Sequence, residues 1–60
     1  MTNIIWTSED GQTRIEYDAE YDLYFLHSSM IDTLELSSNG VYRSLRGAKT
    51  AATRLLNNIN

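Results

Sequence analysis

Sixty residues make one small domain, and without cysteine the chain has no disulfide, no zinc–thiolate site and no cysteine nucleophile. A single histidine excludes a histidine-rich metal site, and no apolar run approaches the ~20 residues that span a bilayer as a helix. The net charge of −3 hides a division: residues 1–40 hold all eight carboxylates and one base, Arg14, whereas residues 41–60 hold Arg43, Arg46, Lys49 and Arg54 and no acid.

Hydrophobic residues make up 42% of the chain, enough to fold rather than remain disordered. A chain this short buries only about 60% of the surface its unfolded form exposes, so association with another chain is the staple left to it. The opening residues, MTNIIWTSED, lack the basic start and apolar core of a signal peptide, and a cytoplasmic protein is the expectation.

In chain order, the apolar run at 3–7 (NIIWT) predicts a first strand. Residues 8–11 (SEDG) are turn formers, because Gly tolerates positive φ while Ser and Asp bond their own backbone. Residues 12–18 alternate, with Ile15 and Tyr17 on one side and Arg14, Glu16 and Asp18 on the other, which predicts a strand with one buried face. A short polar reversal at 18–20 leads into 21–28 (YDLYFLHS), the most strand-like stretch of the chain. Its alternation sets Tyr21, Leu23, Phe25 and His27 against Asp22, Tyr24, Leu26 and Ser28, so both faces carry large apolar groups.

After Ser28 and Ser29 the alternation resumes over 30–36 (MIDTLEL) and offers a fourth strand. The Asn-Gly of 37–40 (SSNG) suits a type I′ turn, with a brief extension at Val41 and Tyr42. The helix is expected over 44–58, with Ser44 as N-cap and an apolar stripe of Leu45, Ala48, Ala52, Leu55 and Ile59. Gly47 weakens its first turn by roughly 1 kcal/mol relative to Ala.

The expected fold is α+β: a small antiparallel meander of three or four strands with one C-terminal helix packed on one face. The helix is expected over Ile15, Tyr17, Leu23 and Phe25. Tyr24 and Leu26 are then left on the open face, with Trp6 (or Ile5) nearby, and these three (Tyr24, Leu26 and Trp6) are the candidate partner-binding residues.

Catalysis finds little support. Asp18, Glu20 and Asp22 alternate as in a calcium loop, but the Gly and Glu that such a loop needs at its sixth and twelfth positions are here Leu23 and Ser29. His27 has Ser28, Ser29 and Asp32 close in sequence, yet no nucleophile-elbow motif accompanies them and so short a chain has little volume for a cleft. Three scattered glycines make no phosphate loop. No catalytic residue, metal or cofactor is expected.

Arg43, Arg46, Lys49 and Arg54 could contact phosphates, though eight acids against five bases is a poor balance for a polyanion binder. Three strands followed by a helix resembles the layout of small AP2-type and integrase-arm DNA-binding domains. The resemblance lies in element order and carries no residue across. In size and make-up the chain also resembles small accessory proteins of phages and mobile elements that regulate host machinery. The expectation is a protein-binding module or regulator acting through a self- or hetero-association surface on the sheet. Nucleic-acid binding by the basic helix is the alternative.

Overall fold

Alternating β-favouring residues on either side of a polar reversal form two six-residue strands, and the rest of the fold is laid against them. The computed structural model describes residues 2–31, 35, 36 and 38–58. They form β1 (Thr2–Thr7), β2 (Thr13–Asp18), β3 (Leu23–Ser28), β4 (Val41–Tyr42) and α1 (Leu45–Asn58). The strands make one antiparallel sheet in the order β1-β2-β3-β4, and α1 packs across one face. This is the expected α+β meander with a C-terminal helix.

Local chemistry sets the boundaries. Asp18 accepts the backbone N–H groups of Glu20 and Tyr21 on Oδ1, at 2.9 and 3.4 Å, and Asp22 lies at φ 55°. The reversal therefore runs through Asp22, and β3 starts at Leu23 rather than at Tyr21. Of the stretch 30–36, residues 32–34 lie outside the described residues. Met30, Ile31, Glu35 and Leu36 belong to no strand, and the fourth strand is Val41–Tyr42. It follows a type I′ turn: Asn39 and Gly40 have φ of 53° and 80°, and Val41 N–H donates to the Ser38 carbonyl at 3.0 Å. Ser44 caps α1, its Oγ accepting the Gly47 N–H at 3.1 Å. A Cβ at Gly47 would stand 3.2 Å from that Oγ, so the glycine that weakens the first turn also leaves room for its cap.

The core is small. Ile15, Leu26, Ala48 and Ala52 are buried, with Trp6, Tyr24, Leu36, Tyr42 and Ala51 packed against them. Two alanines on the inner side of α1 let the helix approach the sheet closely. Leu55 completes the buried stripe, whereas Leu45 is 39% exposed at the helix start and Ile59 lies outside the described residues. At one end of the core Thr13 is fully buried; its Oγ1 donates to Ser28 Oγ at 3.1 Å and its N–H to Ser8 Oγ at 3.0 Å. These bonds remove the penalty of burying a hydroxyl there.

The face under the helix differs from the expectation. The helix covers Ile15 with Tyr24 and Leu26, not with Leu23 and Phe25. The reason is the number of residues in the reversal. Asp18 pairs with Leu23 and Ile15 with Leu26, so four residues close the hairpin and each odd position of β2 opposes an even position of β3. Directly opposed residues share a face, hence Leu26 goes inward with Ile15, and Phe25 goes outward with Glu16.

Leu26→Ala is expected to cost about 2–5 kcal/mol, against a total of about 3–9 kcal/mol at the usual stability per residue. Urea unfolding followed by circular dichroism should therefore show most of the cooperative transition lost. Val41→Thr, on the outer face, should stay within about 0.5 kcal/mol of the parent. Ser44→Ala should lower stability by about 1 kcal/mol through the lost cap.

Candidate functional sites: the open sheet face and the helix groove

The register arranges the outer face in rows. Ile4 opposes Glu16, Glu16 opposes Phe25, and Phe25 opposes Val41, so one row of side chains crosses all four strands. Thr2, Asp18 and Leu23 form the row on one side of it, and Thr7, Arg14 and His27 the row on the other. Ile4 is 60% exposed and Val41 37%, while Phe25 and Leu23 are half-buried. Among the described residues no helix or strand covers this face.

Glu16 is the polar centre of the face. Thr2 Oγ1 donates to its Oε1 at 2.6 Å, Arg14 Nε donates to its Oε2 at 2.7 Å, and His27 Nε2 lies 3.5 Å from the same oxygen. The Thr2 bond first, and then the Arg14 bond, hold the Glu16 carboxyl below its ordinary value of 4.5. A charged carboxylate can therefore sit in the middle of an apolar row.

Ile4 reaches this face through a β-bulge. The register shifts between Ile4 and Trp6, leaving Ile5 as the extra residue. Trp6 opposes Ile15 and packs on the core, whereas Ile4, two positions earlier, points to the other side. Without the bulge the two would share a face.

The candidate partner residues named from sequence are thus on the core side. Leu26 is 1% exposed and has no surface to offer. Tyr24 packs on the core and stacks on Tyr17, with ring centroids 4.8 Å apart. Trp6 is likewise packed inward. Phe25, Leu23, Val41 and Ile4 take the outward places. The signal for Phe25 and Leu23 was the polar run 18–22 (DAEYD), long enough for a four-residue loop; nothing in the sequence marks the bulge that turns Ile4 outward.

The second feature lies on the helix side. A groove of about 710 Å³ runs between α1 and the chain at Ile31 and Leu36. Leu36, Tyr42, Ala51 and Leu55 give it an apolar floor, and Arg46 and Arg54 stand along its helix bank. Burial raises the Tyr42 phenol above its ordinary value. Arg43, Arg46, Lys49 and Arg54 are all exposed, and among the described residues none of them belongs to an ion pair.

The remaining candidates are kept apart or occupied. His27 faces outward and Ser28 inward, where Ser28 Oγ accepts from Thr13; Asp32 lies outside the described residues. Asp18 is engaged with its own turn, and Asp22 Oδ1 accepts the Tyr17 hydroxyl at 2.8 Å, which raises the Tyr17 phenol. Among the described residues no group of acidic or histidine side chains could hold a metal ion, and no helix is long and apolar enough to cross a membrane. Compared with protein-family models, with curated proteins and with solved structures, the chain matches none.

The depressed Glu16 carboxyl carries a sign for acid stability. A group lowered by folding stabilises the native state in full above its ordinary value, 4.5 here, and that contribution is lost as pH falls through the lower folded value. Asp10 acts in the same sense, held below 3.8 by the Ser8 hydroxyl first and by the Gln12 N–H next. Urea midpoints measured against pH should therefore fall on acidification. Glu16→Gln should lower stability at neutral pH by about 1 kcal/mol or less and flatten part of the acid fall.

Proposed function

We propose that the chain is a small protein-binding module whose docking surface is the outer face of the sheet, and that a second copy of the chain is the occupant. The observation that carries this is the row Ile4, Glu16, Phe25 and Val41, a band of three apolar side chains around one partnered carboxylate on the face opposite α1. A chain with so small a core gains stability from burying such a band against another chain.

Charge favours a like copy. Along β2 the outer face carries Arg14 at one end and Asp18 at the other. Two sheets stacked about a two-fold axis that reverses the strand direction place the cation of one copy over the acid of the other. Glu16, which such an axis brings near its own image, is already partnered by Arg14 and Thr2. An interface of standard size takes about 800 Å² from each partner, nearly a fifth of the 4320 Å² exposed here, so the rim of the face must join the band.

A role as a cytoplasmic regulator of the phage-accessory type fits the size and the absence of cysteine. Nucleic-acid binding through Arg43, Arg46, Lys49 and Arg54 is the weaker alternative. Those cations are free of ion pairs among the described residues, but they belong to a chain of net charge −3 and flank an apolar groove.

Sedimentation over a concentration series should show reversible dimers. Val41→Lys and Arg14→Glu should each weaken them roughly tenfold while leaving the far-UV spectrum unchanged. A monomer at every concentration would overturn self-association.

A further inference from the structure

The groove beside α1 differs in chemistry from the outer sheet face, borders the core and is not used by the proposed dimer. Its floor is apolar, formed by Leu36, Tyr42, Ala51 and Leu55. Its helix bank is cationic. Arg46, Thr50 and Arg54 follow at four-residue steps, so they rise along one side of the helix with the backbone positions of the two arginines about 12 Å apart along the axis at 1.5 Å per residue. Both arginines are exposed, and neither meets an acid within ion-pair distance among the described residues. Among the described residues the one carboxylate on the lining is Glu35, alongside Ile31 and Leu36 from the other bank.

The helix that carries these groups is held from behind. Ala48 and Ala52 are buried against the sheet, and Ser44 fixes the first turn. The arginines therefore rise from a positioned rail, while the volume beside them, about 710 Å³, is of the size that encloses a few side chains.

We infer that this groove binds an acidic peptide segment. Its apolar side chains fill the floor, and two carboxylates spaced by about two helical turns, or about four extended residues, pair with Arg46 and Arg54. A guanidinium offers a planar pair of donors that matches a carboxylate. A nucleic-acid backbone would satisfy the same cations but leave the floor against water and bring a polyanion to a chain of net charge −3. The occupant is thus an amphipathic acidic chain rather than a phosphate polymer. This inference stands apart from the dimer proposed above, because the groove and the outer face lie on opposite sides of the sheet.

The test is a titration of the isotope-labelled chain, followed by amide chemical shifts, with a short synthetic peptide of Leu, Ala and Glu. Two controls accompany it: the same peptide with Lys for each Glu, and a single-stranded thymidine oligonucleotide. The expected shifts fall on Gly47, Thr50, Ala51 and Leu55 with the acidic peptide and are absent with the basic one. The double variant Arg46→Glu, Arg54→Glu should bind roughly tenfold more weakly with its spectrum still dispersed, and its self-association by sedimentation should be unchanged. The inference is overturned by an absence of shifts, by shifts confined to Phe25 and Val41, by binding indifferent to the double reversal, or by helix shifts with the oligonucleotide alone.

Discussion

Ile15 opposes Leu26 across β2 and β3, and this pairing decides what every other side chain of the sheet can do. Opposed residues share a face, so placing these two under α1 draws Trp6, Tyr24 and Tyr42 to the same side. It sends Phe25, Val41 and the acid–base cluster around Glu16 to the other. The helix responds to that choice: its alanines at 48 and 52 leave space for a branched and a γ-branched side chain between the layers. The bonded hydroxyls of Thr13 and Ser28 close one end of the core without leaving a polar atom unpaired.

Much of this order can be read from the residues. The antiparallel meander follows from alternating stretches separated by turn formers. The Asn-Gly turn adopts the two positive φ values that its residues favour, and Ser44 caps the helix as its side chain suggests. The choice of face is harder to read. It depends on whether a reversal holds an odd or an even number of residues, and Asp22 can stand in a strand or at the positive φ of a turn with little difference in composition. The bulge at Ile5 is equally silent, since an extra residue in an apolar run leaves the run apolar. Both are matters of register, and register is set by pairing energy between segments rather than by any segment alone.

The charge division also resolves in space. An acidic first part and a basic last part could have paired with one another. Among the described residues they do not: the base that finds an acid is Arg14, on the same strand as its partner Glu16, while the cations of α1 stay in solvent. Exposed pairs contribute little to stability, so folding gains little by joining the two regions. Each keeps its own field, one around the hairpins and one along the helix, and an approaching molecule meets either of them depending on the side from which it arrives.

The bulge in β1 decides which side the first residues of that strand present. Ile5 is an odd link in an otherwise regular ladder, and the residues before it owe their orientation to that link. Loss of the single codon for Ile5 would let the ladder run through unbroken with Asn3 and Ile4 keeping their partners and their sides, whereas a slip that paired Ile5 with Glu16 would carry Ile4 from the outer surface to the helix side. A lineage could in this way remodel its contact surface by changing which residue of the first strand is left unpaired, with the inner pairing of the second and third strands left as it was.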